Sequence, residues 1–283
     1  MQPMNLKKET VLADVTRALE EDIGTGDVTN ALLPSTLTVH AKIISREPML
    51  VCGRPWVDLV FSKIDASTKV EWLVEEGSFQ RTPTTLCYIE GLARSILTAE
   101  RTALNFLQTL SATATKTYRY VQQLKGYHTK LLDTRKTIPG LRVAQKYAVA
   151  TGNATNHRFG LYDAYLIKEN HIKACGSITK AIELAKLQAN SLLIEVEVET
   201  IDELREALHA QPHRILLDNF TKEMLVEAVL MNTPKRCDLE VSGGVELDTI
   251  QSIAALGVDF ISVGAITKSI EAIDLSLLIE EVR

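Results

Sequence analysis

The sequence predicts an α/β protein in which an N-terminal α+β layer domain precedes an incomplete, open β/α barrel of about six to seven parallel strands. Residues before about 112 mix helical and strand patterns joined by short turns. Residues from 130 onward alternate short apolar runs with helical segments, which is typical of a parallel sheet. The predicted domains cover 1–112 and 113–269. A C-terminal helix at 270–283 is expected to pack back on the first domain.

The elements of the first domain follow from the spacing of its apolar residues. Helical spacing predicts helices at 10–21, 55–64 and 96–110, and alternation of apolar and polar residues predicts strands at 39–43, 69–75 and 84–90. The helix at 96–110 is the clearest, because its leucines form a broad apolar face. Its one internal cation, Arg101, is most simply interpreted as a solvated helix arginine when it is taken alone.

The second domain is predicted as six strand–helix units. The predicted strands are 130–134, 164–168, 192–199, 214–218, 238–242 and 259–263. The predicted helices are 141–150, 177–188, 200–209, 221–231 and 246–256. Six such units suggest a barrel related to the eight-fold β/α barrel but short of strands.

Every predicted strand of this barrel ends at a polar or glycine residue. In β/α barrels the functional residues lie at the carboxyl ends of the strands, so we expect the site there. The residues at these ends are Thr134, Arg135, Lys136, Lys168, Glu197, Asp218, Ser242, Gly243, Gly244 and Gly264.

A cationic segment lies within an acidic chain. The 283-residue protein has a formal net charge of −5, whereas residues 131–173 hold seven Lys/Arg and three Asp/Glu, a net charge of +4. Because several of these cations follow strand-like runs and turn formers, the pattern favours a pocket for an anionic ligand over a solvated basic face. The overall charge argues against general affinity for nucleic acids or anionic membranes.

Cysteine usage and hydropathy indicate a cytoplasmic location. The four cysteines are far apart and contain no Cys-x-x-Cys pair, so free thiols in a reducing compartment are expected. The N-terminal residues contain no apolar run of signal-peptide length. No segment approaches the roughly 20 apolar residues of a membrane span.

Four cations are candidates for holding the anion: Arg135, Lys136, Arg158 and Lys168. Arginine can bind a carboxylate or phosphate through two parallel hydrogen bonds. Because converging cations repel one another, the pocket should favour a ligand with two or more negative charges. Lys168 has a second interpretation as a Schiff-base lysine at a strand end. His157 could donate to the ligand or transfer a proton, although a lone loop histidine is more often structural.

Carboxylates and glycines complete the predicted site. Glu195, Glu197 and Glu199 share one strand face, and Asp218 ends the next strand. Glu197 and Asp218 suit Mg²⁺ or sugar hydroxyls, with structural salt bridges as the alternative. The glycines after the last two strands allow backbone N–H groups to approach a phosphate. The residues therefore suggest a phosphosugar joined to a polyanionic acid.

The motifs of the whole chain resemble those of the quinolinate phosphoribosyltransferase family. The matching segments are EDIGTGDVT (21–29), LTAERTALNF (97–106), LLDTRKTIPGLR (131–142), NHRFGLYDAYLIKENHI (156–172), EVEVET (195–200), LLDNF (216–220), EVSGG (240–244) and SVGAIT (262–267). This resemblance implies Mg²⁺-dependent transfer of phosphoribose from phosphoribosyl pyrophosphate to quinolinate. The expected products are nicotinate mononucleotide, pyrophosphate and CO₂, on the de novo route to NAD.

The resemblance also implies roles for individual residues. Quinolinate would be held by Arg101, Thr134, Arg135, His157, Arg158 and Lys168. Phosphoribosyl pyrophosphate would be held by Lys136, Glu197, Asp218, Ser242, Gly243, Gly244, Val263, Gly264 and Ala265. Lys136, Lys168, Glu197 and Asp218 would be the catalytic residues, with Glu197 and Asp218 also meeting Mg²⁺ directly or indirectly. Arg101 would reach the site of a partner subunit, which makes a homodimer the minimum unit and allows a higher oligomer.

Two segments depart from the family pattern, and three other functions compete. The glycine-rich loop before NHR is Thr151–Thr155 here, with Ala154 in it, and the usual LSG sequence is Leu110-Ser111-Ala112. A relative that uses nicotinate would need fewer cations. A Schiff-base lyase on Lys168 and a non-catalytic protein that binds phosphoribosyl pyrophosphate are the other two alternatives.

Overall fold

The computed structural model describes residues 6–188 and 191–283. The first five residues of the predicted N-terminal domain and residues 189–190 lie outside the described ranges. The chain divides into two compact units. Among the described residues, the first contains 6–118, 138–153 and 266–283, and the second contains 119–137, 154–188 and 191–265.

The elements follow the predicted order closely. The helices are α1 (Lys8–Ile23), α2 (Arg54–Ile64), α3 (Ala93–Gln123), α4 (Arg142–Thr151), α5 (Glu169–Cys175), α6 (Ile178–Gln188), α7 (Ile201–Ala210), α8 (Lys222–Met231), α9 (Ile250–Ala254) and α10 (Ala265–Lys268). The strands are β1 (Thr38–Ser45), β2 (Met49–Leu50), β3 (Lys69–Trp72), β4 (Phe79–Gln80), β5 (Thr84–Leu92), β6 (Lys130–Leu132), β7 (Ala164–Ile167), β8 (Leu193–Val198), β9 (Arg214–Asp218), β10 (Asp238–Ser242), β11 (Phe260–Ser262) and β12 (Leu275–Val282). None of the helices in the described ranges is long and apolar enough to cross a membrane.

The first unit is built on an antiparallel sheet with the order β12-β1-β5-β3. Alternate residues of β1 are buried, as the period of two predicted, and they join a core with residues of α2 and α3. Trp56 and Leu107 are fully buried members of this core. The α+β architecture predicted for the N-terminal domain is therefore confirmed.

The predicted C-terminal helix is wrong, because residues 275–282 form strand β12. This strand pairs antiparallel with β1, from Leu275 opposite Ser45 to Val282 opposite Val39. Leu275 and Leu277 pack against the core, whereas the glutamates that follow face solvent. The segment LSLLIEEV has good helix formers, but pairing with β1 satisfies its backbone and overrides that preference.

The second unit contains a parallel sheet with the order β6-β11-β10-β9-β8-β7. Helices α6, α7 and α8 connect successive strands from β7 to β10, as the alternating pattern predicted. A single parallel bridge from Leu132 to Thr155 extends the pairing beyond β6. The open β/α barrel of six to seven strands is confirmed.

The predicted boundary at 112/113 falls inside α3, which continues to Gln123. Ala112, which replaces the family's glycine, is buried within this helix. The Ser111 hydroxyl hydrogen-bonds both the N–H and the carbonyl of Cys52 at 3.0 Å. Helix α3 therefore continues without a break at the position where alanine replaces the family's glycine.

The second departure from the family pattern is in the loop Thr151–Thr155, where the residues meet different requirements of the backbone or of packing. Asn153 takes the left-handed backbone conformation, with a φ of 67°. Gly152 is required for close packing, because a Cβ there would lie 2.7 Å from the Cβ of Thr117. Ala154 needs no positive φ and is buried, so an alanine fits at that position.

Candidate active site

A pocket of about 150 Å³ lies at the carboxyl ends of the parallel strands, within the second unit. The sequence predicted eight of its lining residues, and the structure brings them together. These are Thr134, Arg135, Lys136, His157, Arg158, Lys168, Glu197 and Ser242. The remaining lining residues are Leu166, Leu216, Glu240 and Ser262.

Four cations line this small volume: Arg135, Lys136, Arg158 and Lys168. The pKa of Arg158 is lowered, first by burial and then by the charge of Arg135. Mutual repulsion of this kind is relieved when an anion binds between the cations. The pocket is therefore suited to a ligand with several negative charges, as the sequence predicted.

The predicted cationic segment is not one continuous cluster. Lys146 is fully buried in α4 of the first unit, and Lys173 pairs with Glu169 on the exposed face of α5. The net charge of the segment therefore does not show which of its cations reach the pocket.

Lys168 and Glu197 form an ion pair across the ends of β7 and β8. The pair places the Lys168 side-chain nitrogen against a carboxylate rather than free to attack a substrate. A Schiff-base lysine must instead present a neutral amine to a carbonyl group. The arrangement therefore favours anion binding over the lyase alternative.

His157 is held on both of its ring nitrogens. Its Nδ1 accepts a hydrogen bond from the backbone N–H of Arg158 at 2.7 Å. Its Nε2 lies 2.9 Å from Oε2 of Glu195 and 3.7 Å from Oε1 of Glu240. The ring thus faces two buried carboxyl groups, a surrounding that the sequence analysis did not predict.

Asp133 fixes the loop that carries His157, and sequence reasoning missed this role. It is fully buried, and its carboxylate accepts hydrogen bonds from the His157 N–H at 2.8 Å and from Nδ2 of Asn156 at 2.7 Å. The sequence signal was an acid at the end of an apolar run, directly before two cations.

Three carboxylates form a second cluster near the pocket: Glu197, Glu199 and Asp218. Each offers an oxygen, and these three oxygens lie within 4.8 Å of one another. Carboxylate oxygens are the ligands that Mg²⁺ and Ca²⁺ prefer. Glu197 and Asp218 were predicted for this purpose, and the structure adds Glu199.

The glycine loop after β10 is shaped by close contact with Asn219. Gly243 has a φ of 94°, and a Cβ on it would lie 2.1 Å from Oδ1 of Asn219. Asn219 itself has a φ of 55°, donates its N–H to the Ser242 carbonyl and donates Nδ2 to Asp218 at 2.9 Å. Asn219, which the sequence analysis did not name, therefore joins the acidic cluster to the glycine loop.

The other predicted residues lie beside the pocket or in the first unit. A Cβ on Gly264 would lie 3.1 Å from Cδ of Lys136. Val263 donates its N–H to the Leu132 carbonyl. Ala265 lies two residues further along the chain. Arg101 is exposed on α3, in the first unit.

Two family models match almost the whole chain. The N-terminal domain of quinolinate phosphoribosyl transferase matches residues 27–111, and the C-terminal domain matches residues 113–278. The two matches adjoin at residue 112, inside α3.

Known proteins resemble the chain over nearly its full length. A probable nicotinate-nucleotide pyrophosphorylase [carboxylating] of Synechocystis is 41% identical, covering 92% of this chain and 90% of the relative. The protein of the same name from Bacillus subtilis is 37% identical, covering 91% and 89%. The solved nicotinate-nucleotide pyrophosphorylase of Francisella tularensis is 46% identical, with a TM-score of 0.95 and 99% of both chains covered. The chain belongs to the quinolinate phosphoribosyltransferase family.

Proposed function

We propose that this chain transfers the phosphoribosyl group of phosphoribosyl pyrophosphate to the ring nitrogen of quinolinate, with decarboxylation, to give nicotinate mononucleotide in NAD biosynthesis. The observation that carries the proposal is the pocket in which four cations meet at the strand ends. Quinolinate has two adjacent carboxylates, and phosphoribosyl pyrophosphate adds further negative charge. Four cations in one small pocket favour a substrate with several negative charges over a neutral or monoanionic one.

Arg135, Arg158 and Lys168 hold the two carboxylates of quinolinate, with Thr134 and His157 at the edge of the same pocket. Charged hydrogen bonds of this kind contribute about 1.5–3 kcal/mol each. They orient the pyridine nitrogen towards the anomeric carbon of the sugar. Holding two substrates in this orientation lowers the barrier to their reaction. Lys136 binds the pyrophosphate, whose negative charge grows as it leaves.

Glu197 and Asp218 bind the ribose hydroxyls and stabilise the positive charge that develops on the sugar in the transition state. Backbone N–H groups from Ser242 to Gly244 and from Val263 to Ala265 hold the 5′-phosphate. Once the ring nitrogen is alkylated, its positive charge accepts the electrons left at C2 when CO₂ departs. A proton then replaces the lost carboxylate, so no covalent intermediate on the enzyme is required.

The carboxylates of Glu197, Glu199 and Asp218 fit a divalent cation, since an oxygen of each lies within 4.8 Å of the others. Bound Mg²⁺ would neutralise charge on the pyrophosphate leaving group. We expect turnover to stop when EDTA removes Mg²⁺ and to return when Mg²⁺ is added in excess. Full activity in EDTA would contradict this part of the proposal.

The proposed active unit is a homodimer in which Arg101 enters the site of the partner subunit. Two observations support it. Arg101 is exposed on α3, and an apolar groove of about 630 Å³ lies along the edge strand β7, where Leu161 and Tyr162 are largely exposed. A homodimer would place such a surface in an interface.

A mixing experiment tests the shared site. Arg101→Ala chains and Lys168→Ala chains should each be inactive alone. A mixture that is unfolded and refolded together should recover up to about a quarter of the wild-type activity. This recovery reflects heterodimers in which one of the two sites has both residues intact. Heterodimers that form without any recovery would exclude the shared site.

The substrate assignment is tested by calorimetry with quinolinate and nicotinate. Quinolinate should bind at least ten times more tightly than nicotinate, because it neutralises one more cation. Equal affinities would favour the nicotinate-using alternative.

A location in the cytoplasm stays a prediction, supported by the four free cysteines.

A further inference from the structure

A group of ionisable side chains is buried between the strands of the second unit, beside the pocket. Glu195 on β8 and Glu240 on β10 are both fully buried, and Arg214 on β9 is 9% exposed. Arg214 donates Nη1 to Oε2 of Glu240 at 2.9 Å, and its guanidinium lies 3.9 Å from the ring centroid of Phe260. The facing oxygens of Glu195 and Glu240 lie within 4.8 Å of Nε2 of His157.

The two carboxyl groups are poorly satisfied. Oε1 of Glu195 and Oε1 of Glu240 have no hydrogen-bond partner among the described residues, and Oε2 of Glu195 has only Nε2 of His157 nearby, at 2.9 Å. Burial of such groups costs folding free energy, so apolar side chains in these positions would give a more stable barrel. A role in the site is therefore a better explanation than a role in stability.

A metal ion at this cluster is disfavoured by the histidine tautomer. Nδ1 of His157 accepts the N–H of Arg158, so a neutral ring carries its proton on Nε2, the atom that faces the carboxyl groups. A protonated nitrogen cannot ligate a metal. The guanidinium of Arg214 already supplies a positive charge to Glu240.

We propose that Glu195, Glu240 and Arg214 are positioning residues. They hold the His157 ring and, through it, fix the position of the Arg158 backbone in the pocket. Glu195 and Glu240 face Nε2, while Nδ1 of the same ring binds the Arg158 N–H. The proposal rests on the proposed function, in which Arg158 binds a quinolinate carboxylate. It makes His157 a positioning residue whose ring nitrogens face protein groups rather than the substrate.

The decisive comparison is between Glu195→Leu and Glu195→Gln. Leucine removes the oxygens that face His157, so the Kd for quinolinate should rise at least tenfold while the Kd for phosphoribosyl pyrophosphate stays unchanged. Glutamine keeps a carbonyl oxygen opposite Nε2 and should restore quinolinate affinity to within about threefold of wild type. Because leucine also removes a buried carboxyl group whose Oε1 has no hydrogen-bond partner among the described residues, the thermal midpoint should stay equal or rise. A purely structural residue would instead lower it.

A double mutant separates positioning from independent contact. If Glu195 acts through His157, the Glu195→Leu/His157→Ala protein should bind quinolinate no more weakly than His157→Ala alone. Additive losses would overturn the proposal. So would an unchanged quinolinate Kd in Glu195→Leu, or equal weakening of both substrates with a lower thermal midpoint.

A measurement on the wild-type protein covers the case in which Glu195→Leu does not fold. In ¹⁵N-histidine-labelled protein, His157 should show an unprotonated Nδ1 and a protonated Nε2, both before and after saturation with quinolinate. A change of tautomer or protonation on binding would identify His157 as a direct ligand and refute the proposal. If wild type does not bind quinolinate at all, the proposed function fails instead, which is a distinct result.

Discussion

The free energy of unfolding of a Glu240→Gln variant, relative to that of wild type, should increase as the pH rises from 5 to 8. Glu240 is fully buried, and burial followed by the nearby Glu195 raises its pKa from the ordinary value of 4.5 to about 8. Between these two pH values the folded protein keeps a proton that the unfolded chain has released. Because the unfolded state then binds fewer protons, stability falls as pH rises through this window and levels off above pH 8.

The size of this effect follows from the shift in pKa. A shift from 4.5 to about 8 corresponds to about 5 kcal/mol, at about 1.4 kcal/mol per pH unit. Glutamine has nearly the same shape and cannot ionise. We therefore expect the stability difference between Glu240→Gln and wild type to grow by about 4 kcal/mol between pH 5 and pH 8.

Urea denaturation at pH 5, 6, 7 and 8, at one fixed protein concentration, measures this difference. Glu227→Gln is the matched control, because Glu227 is exposed on α8 and should give a curve parallel to that of wild type. If the Glu240→Gln curve also runs parallel to wild type across this range, the buried carboxyl is ionised throughout and the reasoning is refuted.

Three further substitutions test separate parts of the account. Arg158→Ala should raise the Kd for quinolinate about 10- to 100-fold, since one charged hydrogen-bonding group is lost. The Kd for phosphoribosyl pyrophosphate should stay unchanged. Unchanged quinolinate affinity by calorimetry would show that Arg158 does not bind quinolinate. Gly243→Ala should raise the KM for phosphoribosyl pyrophosphate at least about tenfold, because the added Cβ meets Asn219 at 2.1 Å. Gly257→Ala is its control, with a similar positive φ but no atom within 4 Å of the Cβ, and equal KM effects would refute the steric argument. Thr200→Ala should destabilise the protein by about 1 kcal/mol with unchanged KM values, because Thr200 caps α7 by accepting the N–H of Glu203; a denaturation midpoint equal to wild type would show that the cap is dispensable.

The pocket could be predicted because it depends on periodicity and topology. Alternating strands and helices imply a parallel sheet, and a parallel sheet brings all strand ends to one edge. Lys168 and Glu197 are 29 residues apart in sequence, yet they form an ion pair because β7 and β8 are neighbours. The prediction requires only the order of strands and helices, because neighbouring strand ends meet whatever the number of residues between them.

The buried network could not be predicted in the same way, because it depends on strand register. Glu195 and Glu240 lie inside predicted strands, and Arg214 begins one. Glu195 lies directly opposite Arg214, whereas Glu240 lies two residues further along its strand than the residue opposite Arg214. An ionisable residue inside a buried strand was the available signal, but its partners required the structure.

The C-terminal strand was missed for a related reason. Leu275 and Leu277 fit a strand of period two, but the short segment also fits a helix that ends in glutamates. The deciding fact is its pairing with β1, more than 200 residues earlier in the chain. Long-range pairing of this kind leaves no local mark in a single sequence.

The most direct test of the central claim is turnover with quinolinate and, in parallel, with nicotinate. Purified protein would be incubated with phosphoribosyl pyrophosphate, Mg²⁺ and either acid, and nicotinate mononucleotide and CO₂ would be quantified. We predict that quinolinate gives both products in equal amounts and that nicotinate gives none. Product from nicotinate alone would contradict the assignment of the four-cation pocket to a dicarboxylate. No product from either acid in the folded protein would contradict the proposed reaction.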